Sequence, residues 1–255
     1  MRAIHIICFL ALTSAAFITT ADADIGVHNH QLNIAIEDSW PPYADINGQG
    51  HSRDILERAL ELTQIEYRVQ VEPYSRALYL TKSGLVNACL NVTRQSSTES
   101  VFHFGEEPLF IADAYFFVSP KNQLPMQSLR EAPDHYKVGV ITGYEYGEQF
   151  EIEKHRLFLS EVRTQEQLIA MLKTGRLDAI IMYDEVYEHT RIKMGLPQDL
   201  FRRAFLNHSS DIHVAFNKEN QWSKSYAAQL DVALRALKAS DQPQHSKTST
   251  KQNAD

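Results

Sequence analysis

Thr93-Arg94 and Asp184-Glu185 occupy equivalent places after a repeated segment. Lys82-Ser83-Gly84-Leu85-Val86-Asn87-Ala88 recurs ninety-one residues later as Lys173-Thr174-Gly175-Arg176-Leu177-Asp178-Ala179. Each copy follows a helical pattern and precedes an apolar, strand-like run. Each carries a basic residue for the last helical turn and a Gly for the left-handed position that ends it. Read as a duplication, the alignment sets Thr93 and Arg94 against Asp184 and Glu185, just beyond the C-terminal ends of two strands. Ligands of open α/β sheets bind at such ends, so the chemistry on offer is binding of a small polar molecule. The same residues also have plain structural uses. Gly-capped loops are common connections, Asp184-Glu185 suits the first turn of a helix, and Arg94 suits a surface ion pair.

Signatures of covalent or metal chemistry are missing from the sequence. It has no G-x-S-x-G, no H-E-x-x-H, no C-x-x-C and no Gly-rich phosphate loop. His51, His103, His189, His208 and His213 lack metal-ligand spacing and read as surface or structural residues. Carboxylates abound, but spacing alone assigns no pair to acid–base work. Cys8 lies in an apolar N-terminal run, and Cys89, between Ala88 and Leu90, reads as a core residue. No cofactor and no metal are expected.

The elements that must position these groups alternate. Leu32–Ile36 reads as a strand, then a turn-rich stretch from Ser39 to Gly50, then a helical stripe over Asp54–Leu62. Tyr67–Val71 reads as a strand, Tyr74–Lys82 as a helix and Ala88–Val92 as a strand. The second half repeats the style with strand Lys137–Ile141, helix Gln165–Lys173 and strand Ala179–Tyr183. Strands alternating with helices imply parallel sheets covered on both faces, an α/β class. With 255 residues and 44% hydrophobic content, the chain fits one large domain or two lobes.

The net charge of −7 without a basic block speaks against nucleic-acid binding. A mean hydropathy of −0.33 and one short apolar run speak against an integral membrane protein. That run, Ala3–Phe17, follows Arg2 and precedes Ala21-Asp22-Ala23, so residues 1–23 read as a cleaved secretory signal. Their removal leaves the net charge at −7, because they carry only Arg2 and Asp22. From Asp241 onward the chain is polar without an apolar period, and 241–255 is expected to be a disordered tail.

Several marks, in order, resemble solute-binding protein family 3, the amino-acid-binding type of periplasmic binding protein. They are Trp40-Pro41-Pro42-Tyr43, Gly50 leading to Asp54, and Pro73-Tyr74-Ser75-Arg76. Asn91-Val92-Thr93, Val138-Gly139-Val140 before Thr142-Gly143, and the return strand Ile212–Lys218 with a helix over Ser223–Leu237 complete the series. The resemblance spans about Gln31 to Ser240. It implies a two-lobed fold, each lobe a mostly parallel sheet flanked by helices. Two crossover strands near Ala112–Phe116 and Asn207–Ile212 would form the hinge. Lobe one would comprise 24–112 and 212–240, and lobe two 113–211.

The resemblance also implies a ligand set. Trp40 and Tyr43 stand where an aromatic packs on the solute, and Asn91 and Thr93 lie at the end of a first-lobe strand. The arginine that grips the α-carboxylate in the family's T-x-x-R motif is Ser96 here, so Arg94 or Arg76 would have to supply the fork. In the second lobe Thr142 and Gly143 lead to Tyr144 where a threonine is usual. The amine-binding aspartate's place is Tyr183, with Asp184 one further on. The expected function is periplasmic binding of a small polar solute, an amino acid or related carboxylate, by lobe closure for ABC-type uptake. Its partner would be an inner-membrane permease or a sensor, and its state a monomer. The alternatives are a secreted lyase of the cyclohexadienyl dehydratase type on the same scaffold, or a ligand-sensing domain.

Overall fold

A computed structural model of the chain describes residues 31–122 and 125–241. The segment read as a secretory signal, 1–23, lies outside the described residues. The first half runs β1 (Leu32–Glu37), α1 (His51–Glu61), β2 (Tyr67–Glu72), α2 (Tyr74–Lys82) and β3 (Ala88–Thr93). A short α3 (Ser96–Glu99) and β4 (Phe102–Phe104) lead to the long β5 (Phe110–Val118). The second half runs β6 (Lys137–Ile141), α4 (Glu148–Glu153), β7 (Phe158–Val162), α5 (Gln165–Lys173), β8 (Ala179–Tyr183) and α6 (Asp184–Lys193). The 16-residue β9 (Arg202–Asn217) then returns, and α7 (Ser223–Asp241) closes the fold.

All but β4 lie on one path, β2-β1-β3-β9-β5-β8-β6-β7, and β4 pairs with β9. Strands β1, β2 and β3 are parallel, as are β6, β7 and β8. Between these two half-sheets run β9 and β5, antiparallel to each other and to their outer neighbours. The order 2-1-3 thus mirrors 8-6-7 about the central pair.

The repeated segment explains the mirror. Gly84 and Gly175 end α2 and α5 at φ 72° and 71°, a conformation that glycine adopts without a Cβ penalty. Three residues on, the Asn87 side chain accepts from the Asn33 backbone N–H at 2.7 Å. The Asp178 carboxylate accepts from the Lys137 N–H at 2.9 Å. Each loop therefore fastens the start of its lobe's first strand in the same way.

Burial drives the rest. Leu56, Ala59 and Leu60 of α1 pack with Ile34, Ile36, Leu90 and Phe216 in one core, and a second core gathers Val138, Leu168, Ile169, Ile180 and Phe116. Each fully buried Leu or Ile contributes about 1.5–3 kcal/mol. Cys89 is buried and unpaired with another cysteine, as its apolar neighbours suggest. Asp241 is the last residue of α7, and its carboxylate accepts from Arg58 at 2.8 Å. The remainder of the expected tail, 242–255, lies outside the described residues. Among the described residues no helix is long and apolar enough to cross a membrane.

Candidate functional site

The C-terminal ends of β1, β3, β6 and β8 and the start of α2, just after β2, converge on one crevice. Strand β1 ends at Glu37 and enters a tight turn in which the Trp40 N–H bonds the Ala44 carbonyl at 2.8 Å. Gly50 lets this loop fold back on itself, since a Cβ there would stand 2.4 Å from the Pro42 carbonyl oxygen. The turn presents Trp40 with Tyr43 behind it, ring centroids 4.4 Å apart, and Phe110 stacks on Tyr43 at 4.5 Å. Tyr74 opens α2 directly after Pro73, whose carbonyl bonds the Arg76 and Ala77 N–H groups.

Strand β3 breaks its pairing with β9 between Cys89 and Val92, and Asn91 there takes φ 66°. Asn is among the few non-glycine residues that adopt this conformation at modest cost. From the second half, the turn after β6 brings Tyr144 and Glu145, and the end of β8 brings Tyr183.

Together Glu37, Trp40, Tyr74, Asn91, Thr93, Tyr144, Glu145 and Tyr183 enclose a small cavity. Only about 10 Å³ is left free, room for about one water. The two halves interlock across it. Tyr144 Oη donates to Glu37 Oε2 at 2.6 Å, and Tyr74 Oη donates to Glu145 Oε2 at 2.6 Å. The two tyrosine rings meet edge to face at 5.0 Å. Thr93 Oγ1 and Tyr183 Oη share a hydrogen bond of 3.3 Å, while Tyr183 also donates to Ser210 at 3.2 Å. Ser96, in the place of the expected arginine, donates from Oγ to Glu148 across the same crevice. Glu37, Tyr74 and Tyr144 are also a wall of an outer chamber of about 380 Å³, lined further by Asp38, Arg76, Thr142 and Arg163.

Burial dominates the electrostatics. It pushes the Glu37 carboxyl up to about 8, with Glu145 and Asp38 adding to the rise and the Tyr144 hydroxyl and Asn91 amide opposing it. It pushes Glu145 up to about 7 against the Tyr74 hydrogen bond. Burial likewise raises the Tyr74 and Tyr144 hydroxyls well above the usual phenol range. No arginine, lysine or histidine lines the inner cavity. Among the described residues no group of three His, Cys, Asp or Glu side chains is placed to hold a metal ion.

Of the residues read from the sequence, Trp40, Asn91, Thr93, Tyr144 and Tyr183 come together at the inner cavity, and Arg76 and Thr142 at the outer chamber. Gly143, at φ 84°, brings the two halves close, with a Cβ there 3.3 Å from the Ser75 Cβ. Arg94 and Asp184 line neither space. Arg94 is ion-paired to Glu99 at 2.6 Å, and Asp184 opens α6 with its carboxylate on Arg203 at 2.5 Å. Arg76 bonds Glu72 at 2.8 Å with its side chain 62% exposed. Glu37, Tyr74, Glu145 and Arg163 escaped the sequence reading as site residues. The position of Glu37 after a predicted strand was the one available signal.

No family model matches the chain, and none of the curated proteins does. Solved structures do. An ancestral arginine-binding protein bound to arginine superposes with a TM-score of 0.68 at 18% identity, covering 82% of this chain and 92% of its own. An amino acid ABC transporter substrate-binding protein from Streptococcus pneumoniae bound to L-arginine gives 0.66 at 19%, covering 82% and 90%. An ancestral amino acid-binding protein, a precursor of cyclohexadienyl dehydratase, gives 0.66 at 13%, covering 82% and 89%. These likenesses show the fold: the chain shares the two-lobed architecture of these binding proteins. The half-sheets are its lobes, and β5 and β9 are the strands that cross between them.

Proposed function

We infer that the protein is a solute-binding protein that closes its two lobes on a small polar molecule and delivers it for ABC-type uptake. The observation that carries this reading is the crevice at the strand ends, walled by Glu37, Trp40 and Thr93 from one lobe and Tyr144, Glu145 and Tyr183 from the other. A ligand seated there touches both lobes at once, so it binds the closed form more tightly than the open one and shifts the population toward closure. The neighbours whose titles name arginine or glutamine as ligand support an amino acid or a related solute.

The contact set on this reading is Trp40 with Tyr43 behind it, Asn91, Thr93, Thr142, Gly143, Tyr144 and Tyr183, with Arg76 at the outer rim. The lobes are taken as 24–112 with 212–240, and 113–211. The signal read over 1–23 supports a periplasmic location, and the closed form would dock as a monomer on an inner-membrane permease or a sensor. A thermal-shift panel of amino acids, amines and carboxylic acids tests the reading. A saturable rise in Tm with some members supports it, and no response to any member overturns it.

One observation favours a second reading, a lyase on the same scaffold. Burial raises Glu37 to about 8 and Glu145 to about 7, so Glu37 is protonated at neutrality and Glu145 about half protonated, which is what a general acid requires. Such an acid could protonate the departing hydroxyl of prephenate as carbon dioxide leaves, giving phenylpyruvate and water. Incubation with prephenate separates the readings, because a pure binder makes no phenylpyruvate.

A further inference from the structure

The inner cavity is chemically the reverse of a site for an α-carboxylate. Two carboxylates from opposite lobes, Glu37 and Glu145, face it among aromatic rings, and no cationic side chain lines it. Two guanidinium groups, Arg76 and Arg163, line the outer chamber, and Arg76 is already paired with Glu72. A ligand carboxylate in the inner cavity would meet Glu37 and Glu145 with no positive partner. An ammonium would meet two acceptors and the faces of aromatic rings.

A second, independent observation points to a ligand. Asn91 is 4% exposed and lines the cavity with its amide oxygen unpartnered, and Trp40 is 2% exposed there with Nε1 unpartnered. Each such buried group left unsatisfied costs about 1–3 kcal/mol. Native structures satisfy nearly all buried polar groups, so exceptions that face a cleft mark atoms awaiting a partner. Asn91 is moreover held there by the register break in β3.

The geometry points to an aliphatic ammonium without a carboxylate, in its fullest form a diamine, as the solute of this cleft. Its N–H groups take the places of the Tyr144 and Tyr74 hydroxyls on Glu37 and Glu145, and its methylenes lie against Trp40 and Tyr183. The assignment rests on the solute-binding reading and names the solute class.

It carries a pH signature. Glu37, near 8, holds its proton at neutrality and Glu145, near 7, holds its own about half the time, so an arriving ammonium displaces protons to bulk buffer and affinity rises from pH 6 to pH 8. The groups that set this titration are Tyr144, Asn91 and Asp38 around Glu37, and Tyr74 and Glu151 around Glu145. Cys89, Tyr146 and Tyr183 are further ionisable neighbours that burial keeps neutral.

The test is a matched pair that differs only in the carboxylate, 1,5-diaminopentane against L-lysine, titrated calorimetrically into the purified protein at pH 6 and pH 8. The expected result is at least about tenfold tighter binding of the diamine, tightening further by about tenfold or more between the two pH values. Glu37→Gln and Glu145→Gln, each confirmed folded by its melting curve, should weaken the diamine about tenfold or more and flatten the pH dependence. L-Lysine binding as well as or better than the diamine overturns the ammonium class while leaving solute binding intact. Diamine binding unchanged in both variants overturns the assigned site. Silence from the pair and from the wider thermal-shift panel overturns the solute-binding reading itself.

Discussion

Tyr144 of the second lobe donates its hydroxyl to Glu37 of the first at 2.6 Å, across 107 residues of chain. The adjacent Glu145 receives the reciprocal bond from Tyr74. One two-residue turn thus supplies both a donor and an acceptor to the opposite lobe, and the two bonds tie the halves together across the cleft.

Removing that donor should loosen the closed form. Tyr144→Phe is expected to lower stability by about 1 kcal/mol, the usual net worth of a buried hydrogen bond. The radius of gyration measured by small-angle scattering should rise as the lobes separate. An unchanged radius would mean that the pair does not hold the cleft shut.

The carboxyls should show in the pH dependence of stability. A group whose pKa is raised on folding binds more protons in the native state, so its stabilisation is lost as pH climbs towards the folded value. Glu37 near 8 and Glu145 near 7 therefore predict a stability that falls by about 2 kcal/mol between pH 6.5 and 8, read as a falling Tm. Below pH 6.5 the trend is opposed. Burial lowers His208 and His213 to about 4, so their contribution is lost as pH falls from 6.5 to that value. Glu37→Gln should flatten the fall above pH 6.5. A wild-type Tm that rises with pH through that window would contradict the burial of the pair.

Gly143 stands in left-handed backbone with the Ser75 Cβ 3.3 Å from where its own Cβ would lie. Gly143→Ala is expected to destabilise by about 1–2 kcal/mol, the penalty of that conformation for an L side chain, and to weaken closure. Urea titration gives the first effect and scattering the second.

Arg94→Ala and Asp184→Ala should each change stability by only about 0–1 kcal/mol, because both sit in exposed ion pairs. Neither should alter solute affinity as read by calorimetry. A loss of affinity in either would show that the ligand reaches beyond the two cavities described.

The difference between those residues and Glu37 shows what was legible in the sequence. Helices α2 and α5 and strands β6 and β8 match the residues read from periodicity and Gly caps. Their signals are local: a period, a stop residue and a short loop. Strand β9 begins before the crossing and return segments read over Asn207–Ile212 and Ile212–Lys218, because its start, from Arg202, pairs with β5 without a strict alternation of apolar residues. Of helix α6 only the acidic first turn, Asp184-Glu185, was legible, its charged exterior masking a stripe of Val186, Tyr187 and Thr190.

At the site, Trp40, Asn91, Thr93, Tyr144 and Tyr183 could be found because each lies at a strand end or on the turn after one. Glu37 and Glu145 gain their character only from burial and from tyrosines far away in the chain. The partners of Arg94 and Asp184, Glu99 and Arg203, became visible only in three dimensions.

The chain has two tryptophans, Trp40 in the cleft and Trp222 outside it. In a Trp222→Phe variant, the emission of Trp40 reports directly on the space between the lobes. Titration with amines and amino acids is predicted to give a saturable change in that emission, moved to about tenfold or more higher concentration by Glu37→Gln. Emission that stays flat for every solute would contradict the account that this crevice is where the protein takes up its ligand.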